Sequence, residues 1–210
     1  MILTDASRAY TLIKERIITT QMAPGSVIHE TDLMAELELG RTPIREALKL
    51  LEAEKLVVVS PRRGTFVADI TIKDLQHVQE IRVQLDALCV RLAVERITPA
   101  ELGEMRQLVK EYNDCAGNCD QDTLMNLDRR FHGLLAQASH NRLLQAECDM
   151  FYNLSLRIWY LYLDRLTPDD LAVEAFEEVL AAIETKDPER ADRAIRAHIR
   201  HFQDSIRQYL

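Results

Sequence analysis

Residues 41–51 read RTPIREALKLL. Wound as a helix, Ile44, Ala47, Leu48 and Leu51 form one apolar arc. Arg41, Arg45 and Lys49 form a basic arc beside it, and Thr42 and Glu46 extend the polar side. A helix N-terminus is already the positive end of the macrodipole. Two arginines one turn apart at that end are locally unfavourable unless something negative sits on them. A charge run on a helix is ordinarily a solvated face, so the flanks must decide what this one is for.

Upstream, Ala9, Leu12, Ile13 and Ile17 predict a helix over 6–20, and PGS at 24–26 breaks it. Leu33, Met34 and Leu37 predict a short second helix over 31–37. Downstream, LVVVS at 56–60 and TFVADI at 65–70 flank PRRG at 61–64, a β-hairpin with two arginines at its tip. Helix, helix, turn, helix and basic hairpin make a winged helix-turn-helix. In that arrangement the third helix enters the major groove of double-stranded DNA by its N-terminal residues. DNA phosphates would then be the negative partner that Arg41 and Arg45 otherwise lack.

After residue 70 nearly everything reads as helix: 71–96, 99–114, 121–138, 141–165, 168–185 and 188–209. Thr71 and Thr98 are N-cap candidates, and TPAE at 98–101 puts Pro first and Glu third in its helix. TPDD at 167–170 and DPER at 187–190 repeat the Pro start, and CAGNCDQD at 115–122 is a polar break. The fold class expected is therefore mainly α. A winged helix-turn-helix over 1–70 precedes an all-α bundle over 71–210.

Net charge is −8, which by itself argues against a nucleic-acid partner. Its distribution softens the argument: residues 1–70 hold 9 Lys/Arg against 10 Asp/Glu, 71–210 hold 17 against 24, and within 39–67 six basic residues stand against three acidic ones. Local charge matters more than the total for a groove binder. No apolar run approaches the ~18 residues that span a bilayer, and no signal pattern opens the chain, so a cytoplasmic protein with no membrane partner is expected. Of the four cysteines, Cys89 reads as a buried hydrophobe. CAGNC at 115–119 has the form of a metal or redox pair, but nothing near it has ligand spacing, and free thiols are the expectation for a reducing compartment.

The stretch PGSVIHETDLMAELELGRTPIREALKLLEAEKLVVVSPRRGTFVA resembles the DNA-binding domain of GntR-type transcription regulators. EIRVQLDALCVRLAVERIT, DRRFHGLLAQASHN and DPERADRAIRAHI, in that order, resemble the FCD ligand-binding domain of the FadR subfamily. Length and helix count suit its six-helix VanR-like branch. The first resemblance implies DNA contacts by Arg41, Thr42, Arg45 and Lys49, with Arg62, Arg63 and Gly64 at the wing tip. Where the family often has Gly-Val-Ser before R-T-P, this chain has Glu38-Leu39-Gly40. Gly40 can cap the helix but has no hydroxyl.

Asp128 and His132 lie four apart on the apolar side of one helix, and His198 lies in the apolar stripe of the last. Polar groups at core-facing positions need partners. A hydrogen-bonded core cluster is the plain reading. The resemblance implies another: a divalent metal held by one Asp and three His. Asp128, His132 and His198 match three of those positions, and the fourth falls on Phe176, which cannot coordinate. Three ligands still suit Zn, Ni, Mn or Fe, with water or an effector carboxylate filling the open positions. Arg82, Asn153 and Arg157, with Trp159 and Tyr160, are candidates to line an effector pocket. The function expected is a ligand-responsive regulator that binds an inverted-repeat operator as a homodimer and senses a small organic acid. Two alternatives stand beside it: a metalloenzyme using Asp128, His132 and His198 as a facial triad, and a structural helical protein. No positioned general base or nucleophile motif supports the enzyme.

Overall fold

The computed structural model describes residues 4–115, 118–162, 165 and 174–207. They group into two compact units, Met1–Asp74 with Leu156–Leu161, and Leu75–Ser155 with Tyr162–Leu210.

The first unit begins with α1 (Asp5–Ile18), capped by Thr4, whose Oγ1 accepts from Ser7 N at 3.2 Å. After β1 (Val27–Ile28) come α2 (Glu30–Leu37) and α3 (Arg41–Ala53). The apolar arc expected for α3 is its buried face: Ile44, Ala47 and Leu51 are fully buried and Leu48 nearly so. Each large aliphatic side chain there contributes about 1.5–3 kcal/mol of transfer free energy. Gly40 caps α3 in extended conformation with no side-chain hydrogen bond. The Tyr10 hydroxyl donates to Glu54, and Lys14 Nζ pairs with Glu54 Oε2 at 2.6 Å, joining α1 to the end of α3.

β2 (Val57–Ser60) and β3 (Gly64–Val67) form the expected hairpin, in shorter strands than the sequence suggested, with Val57 opposite Val67 and Ser60 opposite Gly64. Arg62 and Gly64 take positive φ, of 65° and 116°, as so tight a tip requires. One strand was not foreseen. β1 pairs antiparallel with β3, giving a three-stranded sheet in the order β1-β3-β2. Gly25, at φ 73°, bends the chain so that its N–H reaches Val67 O at 3.1 Å. Two residues are too few to show an alternation in sequence.

The second unit is helical among the described residues: α4 (Ile72–Arg96), α5 (Pro99–Cys115), α6 (Gln121–Ala138), α7 (Arg142–Tyr162), α8 (Glu174–Glu184) and α9 (Pro188–Arg207). Residues 156–161 of α7 group with the first unit. Both expected threonine caps are reciprocal capping boxes. Thr71 N donates to Asp74 Oδ2 at 2.7 Å and Thr98 N to Glu101 Oε2 at 2.9 Å, with return bonds to each Oγ1 at 3.3 Å. Asp187 Oδ1 accepts from Arg190 N at 2.9 Å and so starts α9. The TPDD start at 167–170, the beginning of the helix expected over 168–185 and the end of that expected over 188–209 lie outside the described residues, and the helix expected over 141–165 is α7, which is described to Tyr162.

The cysteines correct the expectation of four free thiols. Cys115 and Cys119 are disulfide-bonded; a four-residue separation across the end of α5 leaves their Cα atoms 5.1 Å apart, within disulfide reach. Cys89 and Cys148 are free and buried, with their sulfurs 3.3 Å apart. Among the described residues no helix is long and apolar enough to cross a membrane.

Candidate functional site

The first unit exposes basic residues on α3 and again at the hairpin tip. Arg41, Thr42, Arg45 and Lys49 are exposed, as are Arg62, Arg63 and Gly64. The reason is rotational: Ile44, Ala47, Leu48 and Leu51 fill the inner face, and the basic residues lie outside that arc. One expectation is corrected. Arg45 does not lack a negative partner, because Glu30, the first residue of α2, reaches it. Arg45 Nε lies 2.8 Å from Glu30 Oε2 and 3.1 Å from Oε1. The sequence concealed this pair because fifteen residues and a turn separate its members. Among the described residues Arg41, Lys49, Arg62 and Arg63 have no ion-pair partner.

The second unit brings Asp128 and His132 of α6 and His198 of α9 together. His132 Nε2 lies 3.2 Å from His198 Nε2 and 3.8 Å from Asp128 Oδ1, and His198 Nε2 lies 3.5 Å from that oxygen. Arg82 of α4 joins them. Its Nη2 is 3.1 Å from His132 Nε2, its Nη1 donates to Ser155 Oγ at 2.9 Å, and its Nε pairs with Asp86 Oδ2 at 3.3 Å. A guanidinium only donates, so His132 Nε2 is the acceptor. Its proton is then on Nδ1, 3.5 Å from Asp86 Oδ2. Tyr152 Oη donates to Asp128 Oδ2 at 2.5 Å, and its ring lies 4.8 Å from the Arg82 guanidinium carbon.

Burial and charge set the protonation of this cluster. Burial holds His132 well below the usual histidine value, helped by the Arg82 charge and opposed by Asp128. The same burial raises Asp86 above the ordinary carboxylate range. Burial also works to raise Asp128, but His132, His198 and Arg82 overcome it and hold that carboxyl below its usual range. Tyr152 is pushed well up by burial and the neighbouring Asp128 charge.

Of the five pocket candidates, Arg82 joins the Asp128–His132–His198 cluster. Asn153 is buried nearby, its Oδ1 accepting from Arg129 Nη2 at 3.2 Å. Arg157 is placed in the first unit instead, where its Nη2 donates to Ala68 O at 2.7 Å. Burial pushes Arg157 down to about 10, against the pull of Asp69 and Asp74. The reason is helical: Ser155 faces Arg82, and a residue two further on points to the other side of α7. Trp159 is buried in that same six-residue segment with Tyr160. Asp86, Tyr152 and Ser155 were missed. Asp86 had a signal, since it lies four residues after Arg82 within an apolar run. Tyr152 and Ser155 had none.

Phe176, on which the resemblance puts the fourth ligand position, packs beside the histidines. It is fully buried, stacks on Phe131 at 3.9 Å between ring centroids, and lies 4.9 Å from the His198 ring. The three donor atoms of Asp128, His132 and His198 nevertheless lie within 4.8 Å of one another. A first-row ion with bonds of about 2.0–2.2 Å sets tetrahedral neighbours roughly 3.3–3.6 Å apart. The donor set fits such an ion in type and spacing, and His198 Nδ1 is buried without a partner. Entry of the ion requires Arg82 to leave the His132 lone pair.

Family comparison agrees with this division of labour. Residues 5–67 match the family model "Bacterial regulatory proteins, gntR family", and residues 77–201 match the FCD domain. The chain is 28% identical over 205 residues to the HTH-type transcriptional regulator YdhC of Bacillus subtilis, covering 96% of this chain and 90% of YdhC. It is 24% identical over 202 residues to the HTH-type transcriptional repressor RspR of Escherichia coli, covering 95% and 87%. The solved structure of E. coli McbR/YncC shares the fold with a TM-score of 0.88 at 21% identity, over 99% of both chains. These relatives are named as regulators and not as enzymes. The chain belongs to the GntR family of bacterial regulatory proteins, with a winged helix-turn-helix DNA-binding domain and an FCD effector-binding domain.

Proposed function

We propose that this protein is a cytoplasmic, ligand-responsive transcriptional regulator that binds an inverted-repeat operator as a homodimer. The observation that carries the reading is the exposed basic face of α3 over a fully buried apolar one, with two arginines exposed at the hairpin tip. Residues 1–70 would hold the DNA contacts: Arg41, Thr42, Arg45 and Lys49 in the major groove, and Arg62, Arg63 and Gly64 at the neighbouring backbone. Residues 71–210 would bind effector and form the dimer. Exposed Ile81 and Leu88, two turns apart on α4, support a second copy as the occupant of that helix face.

The effector proposed is a small carboxylate, received where Arg82, Asp128, His132 and His198 converge, with Asn153 close by. A divalent ion, if bound, would be held by Asp128, His132 and His198 and would supply a Lewis-acid charge for that carboxylate. Effector changes DNA affinity only to the extent that it prefers one arrangement of the protein over the other. The test is a salt-dependent gel shift with the full chain on duplexes selected from random-sequence DNA. Selective binding that weakens steeply with salt supports the reading; its absence removes it. Phe176→His, which restores an imidazole beside the cluster, should tighten Ni2+ or Zn2+ binding in a calorimetric titration.

A further inference from the structure

We propose that Glu30 is a specificity-determining residue, positioning Arg45 to read a base edge and taxing its use as a plain phosphate contact. The inference rests on the DNA-binding reading and goes beyond it. Arg41, Arg45, Lys49, Arg62 and Arg63 are all exposed, but among the described residues only Arg45 has a carboxylate partner. That carboxylate engages Nε through both oxygens, at 2.8 and 3.1 Å. A guanidinium is planar with five donors in fixed directions. Holding Nε fixes the plane and leaves the four terminal N–H groups free. Two of them, side by side, are what the O6 and N7 acceptors of guanine take in a bidentate contact.

Glu30 is suited to the task by its own place. It is the first residue of α2, where the helix dipole favours a negative side chain. Its side chain is 26% exposed while that of Arg45 is 58% exposed, so the anchor is the better buried of the two. The clamp also sets a penalty. Wherever Arg45 approaches DNA, the Glu30 charge approaches the phosphates with it and repels them. A base contact gives hydrogen bonds that offset this repulsion; an arbitrary phosphate contact uses Arg45 as half of a neutral pair. Arg41, Lys49, Arg62 and Arg63 carry no such penalty and are free to meet phosphates.

The experiment uses the full chain, one duplex selected from random-sequence DNA by the wild type, and a random-sequence duplex of equal length. Glu30→Gln keeps an acceptor for Nε but removes the charge; Glu30→Ala removes both. Glu30→Gln should bind the random duplex several-fold more tightly than wild type. Glu30→Ala should lower the ratio of selected to random affinity on the order of tenfold, and repeated selection with it should relax one base position. Both effects should vanish in an Arg45→Ala background, which a purely structural role for Glu30 would not produce. The inference is overturned if Glu30→Gln and Glu30→Ala keep the wild-type ratio and base preference, or if their effects persist without Arg45. A wild type that binds both duplexes alike overturns the DNA reading and this inference with it.

Discussion

Arg45 and Arg82 are both arginines paired through Nε to a carboxylate, and they stand at opposite extremes of solvation. The side chains of Arg45 and Glu30 are 58% and 26% exposed, those of Arg82 and Asp86 3% and 6%. In water the first pair contributes little to stability, about 0.2–1 kcal/mol, because solvent screens it and offers each partner an alternative. Exposure leaves the terminal N–H groups of Arg45 open to DNA while Glu30 holds Nε. The second pair has no such alternative. Each of its charges was taken out of water: Asp86 depends on Arg82 to offset that loss, and Arg82 on Asp86, Ser155, His132 and Asp128. A surface pair is therefore available for recognition, while a buried one is committed to the fold until a ligand of comparable polarity replaces a partner.

The contrast breaks most readily at Asp86. Asp86→Ala should destabilise the protein by about 3–5 kcal/mol in urea unfolding, since it leaves the Arg82 charge buried without its carboxylate. If the cost is no greater than that of a surface substitution, the cluster is wetter than its burial indicates. Arg45→Ala should do the reverse. Unfolding should shift by no more than about 0.5 kcal/mol, while selected DNA loses about 1–3 kcal/mol of affinity; an equal loss on random DNA would mean that Arg45 contacts only phosphate.

A smaller effect tests a carboxylate of intermediate kind. Hydrogen bonds from Thr98 and the neighbouring His140 hold Glu101 below the usual carboxylate range. A depressed value means that its contribution is present at neutral pH and is lost as pH falls through the ordinary glutamate value toward the folded one. Glu101→Gln should cost about 0.5–1 kcal/mol at pH 7, with the difference from wild type closing as the pH falls below the ordinary glutamate range; a constant difference would assign the effect to packing. The smallest change expected is at Gly40. Its φ of −71° is open to any residue, and an added Cβ would meet only Pro43 Cδ, at 3.8 Å. Gly40→Ser should stabilise by a few tenths of a kcal/mol in thermal unfolding. Destabilisation there would mean that the serine hydroxyl does not reach the free N–H groups of α3.

The sequence alone determined what depends on neighbours a turn or a strand away. The apolar and basic arcs of α3, the hairpin with its arginine tip, the capping boxes at Thr71 and Thr98 and the Asp128–His132 spacing are all set within a few residues, where dihedral periodicity dictates which side chains share a face. The placement of Phe176 against the histidines came from family resemblance and not from any spacing in the chain. Tertiary structure decided the rest, because the groups involved lie on different elements: β1 on β3, Glu30 on Arg45, Arg82 between Asp86 and His132, and Tyr152 on Asp128. It also sent Arg157 to Ala68 and not to the Asp128–His132–His198 cluster. Periodicity gives the direction of a side chain around its own axis; only the packing of one axis against another decides which polar groups meet, and burial then decides which of them must.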